Sequence, residues 1–78
     1  MPRRRHALEE IQDLKTHTAA FVAPRQLALY WAVHVVTIQR WLREGDLPGT
    51  RFRGAWRIRT DDARIHEMKL FSLRRLAS

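Results

Sequence analysis

The stretch from Val33 to Arg59, VHVVTIQRWLREGDLPGTRFRGAWRIR, restricts the fold more than any other part of the chain. Ile38, Trp41 and Leu42 recur at i, i+3 and i+4, the spacing of one face of an α-helix, and predict a helix over Val35–Glu44. Val36, Gln39, Arg40 and Arg43 fall on the other side of that helix. Gly45 follows, the residue best suited to the left-handed position that closes a helix. Leu47 and Pro48 then lead into a hairpin. A three-residue loop, Arg53-Gly54-Ala55, places Phe52, Trp56 and Ile58 on one face of that hairpin, toward a core. Arg51 and Arg57 point the opposite way, Arg53 lies at the tip and Arg59 follows, so the outer face is cationic.

The flanking sequence supplies further elements. Phe21 and Val22 suit a short extended segment before Pro24, and Pro24 fits the first turn of a helix, where its missing N–H costs nothing. That helix is expected over Pro24–Trp31, with Leu27, Ala28 and Trp31 on one face and Tyr30 at its edge. Ala32, Val33 and His34 make the tight connection to the next helix. Near the N-terminus, Leu8, Ile11 and Leu14 at three-residue spacing predict an amphipathic helix over Ala7–Lys15, with Glu9, Glu10, Asp13 and Lys15 on its polar side. Its narrow apolar stripe suits packing on the domain or on a second copy. Residues 1–6 are expected to form a disordered basic arm, residues 7–17 the N-terminal helix, and residues 20–78 a domain that ends in a C-terminal helix. Thr60 is expected to N-cap that last helix, with Asp61 and Asp62 complementing its dipole. Ile65, Met68, Phe71 and Leu76 continue an apolar stripe along it, and Arg74 and Arg75 fall in its last turns.

Composition narrows the function. At 78 residues the chain holds one small domain with a modest core, so Trp31, Trp41 and Trp56 are expected to be core residues. The net charge of +7 calls for a polyanionic partner, nucleic acid before an anionic membrane. Arginine dominates the basic residues, and its planar fork suits phosphates and guanine edges. Glu9, Glu10 and Asp13 oppose anionic lipid and break any signal-peptide core after Arg3, Arg4 and Arg5. With no membrane-spanning run, the chain reads as soluble and intracellular. Without cysteine there is neither a disulfide nor a thiolate metal site. His6, His17, His34 and His66 lack metal-ligand spacing. The pairs Glu9-Glu10 and Asp61-Asp62 diverge on a helix, and neither a nucleophile–base signature nor a phosphate-binding glycine loop is present. The expectation is a protein with no metal, no cofactor, no small-molecule substrate and no enzymatic activity.

Two short helices joined by a tight turn and followed by an arginine-rich hairpin make a winged helix-turn-helix: mostly α, with a β-hairpin wing, here with added N-terminal and C-terminal helices. Residues 21–63 resemble the small MerR-like, excisionase-family DNA-binding domains. The resemblance is carried by Thr37, Ile38, Arg40, Trp41, Leu42, Gly45, Leu47 and Pro48, then by Gly54, Trp56, Arg57 and Ile58 in the wing. It implies that Val35–Glu44 is a recognition helix whose Val36, Gln39, Arg40 and Arg43 face a DNA groove. Gln pairs with adenine and Arg with guanine, each such contact discriminating by roughly 1–3 kcal/mol. Thr37 would hold a phosphate by hydroxyl and backbone N–H, and Arg51, Arg53 and Arg57 would grip phosphates or enter the minor groove. The chain departs from the family at His34, where a Ser-like cap is usual, and at Val35 and Val36, where polar or basic residues are usual.

The resemblance implies a sequence-specific double-stranded DNA-binding protein, cytoplasmic and of bacterial or phage origin, associated with the nucleoid when bound. A small transcriptional regulator is the first expectation, and a phage or plasmid excision factor the alternative. Copies are expected to associate on DNA through the terminal helices. From a different class, the two valines suit a winged-helix protein-interaction module that does not read DNA.

Overall fold

Leu27, Ala28 and Trp31 are buried along one side of α1 (Pro24–Trp31), as their spacing requires. Pro24 opens the helix, and Gln26 reaches back so that its Oε1 accepts the Ala23 N–H at 2.7 Å, half of a capping box. The helix ends on Ala32, which is left-handed at φ 56°. The Ala32 N–H donates to Leu29 O and the Val33 N–H to Ala28 O, the two bonds of a Schellman turn. After this three-residue turn the chain enters α2 (Val35–Glu44), which buries Ile38 and Leu42 and ends at left-handed Gly45, φ 83°. The computed structural model describes residues 9–77, with the burial of side chains through Leu73. The expected basic arm, residues 1–6, lies outside the described residues.

A three-stranded antiparallel sheet holds β1 (Phe21–Val22), β2 (Thr50–Phe52) and β3 (Ala55–Arg59), in the order β1-β3-β2. Val22 lies opposite Ile58, and both are buried. With α3 (Thr60–Ala77) these elements make three helices and a small sheet, a winged helix-turn-helix arrangement. Leu14, Leu27, Ile38, Leu47 and Ile58 are the largest fully buried side chains, so the core joins α1, α2, the sheet and the segment before β1.

Three expectations are corrected here. The first is the N-terminal helix. Over Glu9–Ala20 the chain forms no helix, only a turn around Leu14–Thr16. Ile11 and Leu14 are buried as foreseen, but as separate anchors on an irregular segment. Backbone groups of this segment bond to side chains of the domain. Gln26 Nε2 donates to Glu9 O at 2.5 Å, and Arg64 donates to Leu14 O at 2.9 Å and to His17 O at 2.8 Å. The Tyr30 hydroxyl accepts the Leu14 N–H at 3.1 Å.

The second concerns the hairpin. Its loop has two residues, Arg53 and Gly54, both left-handed at φ 53° and 81°, the signature of a type I′ turn. Residues directly opposite in an antiparallel pair share a face, and the register sets Arg51 against Trp56 and Phe52 against Ala55. Arg51 therefore lies on the face of Trp56 and Ile58, while Phe52 lies on the face of Arg57. Removing one residue from the loop shifts the register and exchanges the faces of the strand before it.

The third concerns α3. Asp61 and Asp62 stand in its first turn as expected, but the Thr60 hydroxyl donates to Ala19 O at 2.6 Å and the Thr60 N–H to Ala20 O at 2.9 Å. Thr60 ties the helix start to the N-terminal segment. Ile65, Met68 and Phe71 are exposed, and the face toward the core carries Ala63, His66 and Glu67 with half-buried Leu70. The side chain of Leu76 lies outside the described residues. Ala63 is small enough to let the helix approach the core, and the buried polar pair lies against the tryptophans. The Trp31 Nε1–H donates to Glu67 Oε1 at 3.1 Å, and the His66 ring lies 5.5 Å from Trp31 and 4.7 Å from Trp41, centroid to centroid. Neither His66 nitrogen has a hydrogen-bond partner within bonding geometry. Burial lowers its pKa below the usual 6.5, Lys69 adds to the effect, and the backbone and carboxylate of Asp46 oppose it.

Candidate nucleic-acid interface

The Schellman turn and the α1–α2 packing set the angle at which α2 leaves the domain. Ile38 and Leu42 fix its rotation by entering the core, which leaves Val36, Arg40 and Arg43 exposed on the far side. Val36 is 60% exposed, whereas Val35 is half-buried against the core. The two valines thus differ: Val35 supports the helix and Val36 is presented to solvent. His34 takes the extended N-cap conformation, φ −72° and ψ 143°, but its side chain makes no capping bond. The Thr37 N–H already donates to His34 O at 2.9 Å, so only the Thr37 hydroxyl remains for a phosphate.

Between α2, the start of α1 and the wing runs an open groove lined by Phe21, Arg25, Val35, Gln39, Ala55 and Arg57, among others. Gln39, half-buried, and Arg57, exposed, are thereby brought to one depression although they lie far apart in sequence. Arg40 and Arg43 extend the cationic surface along α2 away from the groove floor. Phe21 and Arg25 were missed as groove residues by the sequence reading. Pairing of β1 with β3 brings Phe21 there, and no local pattern in the sequence announces that pairing.

The wing arginines divide. Arg51 donates from Nη2 to Gly54 O at 3.3 Å and places its guanidinium 5.4 Å from the Trp56 ring centroid. It braces the turn on the inner side of the hairpin. Arg53 and Arg57 lie 5.3 Å and 5.7 Å from the Phe52 ring centroid. Of the eight residues expected from the sequence to meet DNA, Val36, Thr37, Gln39, Arg40 and Arg43 sit on α2, Arg53 and Arg57 accompany the outer wing face, and Arg51 stands apart. Phe52, which the sequence reading sent inward, is 53% exposed among the outer arginines.

Among the described residues no group of His, Asp or Glu has metal-binding geometry, and no helix is long and apolar enough to cross a membrane. No curated protein and no solved structure matches the chain. A family model described as a helix-turn-helix domain matches residues 24–62, half of the 78 residues, from the first residue of α1 through the hairpin to the start of α3. The chain belongs to this helix-turn-helix domain family, a family of DNA-binding domains.

Proposed function

We propose that the protein binds double-stranded DNA sequence-specifically, with α2 in the major groove and the wing on the neighbouring backbone or in the minor groove. The observation that carries this reading is the placement of Gln39 and Arg57 along one groove, with Arg40, Arg43 and Val36 exposed on the adjoining side of α2. Gln39, Arg40 and Arg43 are the base-reading candidates, and Val36 offers a methyl surface to thymine. The Thr37 hydroxyl, Arg53 and Arg57 are assigned to phosphates or the minor groove, and Arg51 to bracing the wing.

Within this reading the protein is a small non-enzymatic regulator of MerR-like or excisionase type, acting on transcription; excision of a phage or plasmid is the alternative use of the same surface. Copies bound side by side contact one another through α3, whose outer side leaves Ile65, Met68, Phe71 and Leu73 exposed. Ile11 and Leu14, the apolar residues of the described N-terminal segment, are already buried within the domain, so α3 is the surface assigned to this contact.

Selection of bound fragments from genomic DNA, followed by sequencing, separates the uses. Enrichment at promoters supports transcription control, and enrichment at attachment sites supports excision. On the selected site Arg40→Ala is expected to relax base preference by roughly 1–3 kcal/mol, whereas Arg53→Ala weakens all sequences alike. Equal losses from both variants on specific and random DNA would sink this division of labour. An absence of binding to any fragment at low salt would instead favour a protein-interaction module built around exposed Val36.

A further inference from the structure

A phenylalanine more than half exposed at the tip of a hairpin contributes little to the core, yet Phe52 is the one wing residue contacted by two guanidinium groups. Its ring centroid lies 5.3 Å from the Arg53 guanidinium carbon and 5.7 Å from that of Arg57, both within reach of a cation–π attraction. The register places Phe52 and Arg57 on the same face, and the left-handed turn adds Arg53 beside them. The Arg51 bond to Gly54 O fixes that turn from the other side.

We propose that Phe52 is a positioning residue for DNA binding, its ring the platform that holds Arg53 and Arg57 in place for the phosphates. The proposal rests on the DNA-binding reading of the wing. Its chemistry follows from the shape of guanidinium. Contact with an aromatic ring occupies the flat face of the group and leaves the in-plane N–H donors free for phosphate oxygens. Among the described residues neither the Arg53 nor the Arg57 guanidinium donates to a protein acceptor or forms an ion pair. A free arginine loses rotamer freedom when it clamps a phosphate, and one already held against a ring loses less.

The test uses the full chain and its Phe52→Ala, Phe52→Leu and Phe52→Tyr variants. Affinity is measured on a random-sequence duplex at low salt, since the wing is expected to act on all sequences. An exposed cation–π contact corresponds to about two- to fivefold in affinity, so Phe52→Ala is expected to lose about five- to thirtyfold. Phe52→Leu, which keeps apolar bulk but no π face, should lose about as much, and Phe52→Tyr should stay within about twofold. In a double-mutant cycle the losses of Phe52→Ala and Arg53→Ala should combine to less than their sum. Independently of DNA, the Arg53 and Arg57 side-chain proton resonances should carry ring-current shifts that vanish in Phe52→Leu.

Wild-type affinity in Phe52→Leu would overturn the platform and make Phe52 an apolar wedge. Additive losses, or unshifted arginine resonances, would overturn it as well. Wild-type protein that binds no duplex would take down the DNA-binding reading together with the proposal. Wild-type binding combined with an unaffected Phe52→Ala would take down the proposal alone.

Discussion

At the scale of single residues, side chains and backbone groups far apart in sequence complete each other. Arg64 is the clearest case. One guanidinium donates to Leu14 O and His17 O and pairs with Asp61 at 2.6 Å, so it joins α3 to a segment with no secondary structure of its own. Hydrogen bonds from a charged donor are worth about 1.5–3 kcal/mol each when sheltered, and this side chain is about one-third exposed, so Arg64→Ala is expected to cost about 2 kcal/mol in urea denaturation. Amide exchange over residues 11–17 should accelerate before that of the helices; uniform acceleration would show that Arg64 does not act locally. Ala32 offers the opposite case, a side chain in a conformation that favours glycine. Ala32→Gly is expected to gain up to about 1 kcal/mol at the Schellman turn, read as a raised denaturation midpoint.

At the scale of elements, α1, α2 and the glycine stop were legible because apolar spacing, Pro24 and Gly45 all point the same way. The wing was legible as a hairpin but not in its parity. Arg-Gly is an unusual type I′ pair, since asparagine, aspartate or glycine is the usual first residue, and nothing else in the sequence distinguishes a two-residue from a three-residue loop. That single residue decides whether Phe52 or Arg51 meets solvent beside Arg57. The turn accordingly depends on Gly54. Gly54→Ala places a Cβ at φ 81° and is expected to destabilise the chain by about 1 kcal/mol, while weakening DNA binding more than the stability loss alone explains. Unchanged affinity in a folded Gly54→Ala protein would show that wing geometry is irrelevant to binding. α3 misled for a different reason. Periodicity follows apolar letters, but here the core takes a histidine and a glutamate because two tryptophans offer an N–H and ring faces to be covered.

At the scale of the whole molecule, the N-terminal segment shows where periodicity stops being informative. Ile11 and Leu14 are core residues as their spacing suggested, yet a helix there would have occupied the Glu9 carbonyl that Gln26 now uses. A small domain gains more from such tertiary bonds than from a short isolated helix. The same core sets a pH dependence. Buried His66 titrates below 6.5 in the fold and near 6.5 in the unfolded chain, so protons favour the unfolded state as pH falls through that value. The His66 contribution is complete above about pH 6.5 and is lost progressively below it, until the folded ring is itself protonated. Thermal melts from about pH 8 to pH 5 should show this decline, and His66→Leu should flatten it. An identical profile in the variant would remove His66 from the explanation.

DNA binding itself is tested most directly by the salt dependence of affinity on a duplex. Arg53 and Arg57, the exposed arginines assigned to phosphates, are expected to displace counterions from about two phosphates, which gives a wing contribution to the slope of log K against log salt of about −1.8. Arg53→Ala should reduce its magnitude by about 0.9. A flat response between low and physiological salt, or a slope unchanged in Arg53→Ala, would contradict a wing that holds the DNA backbone.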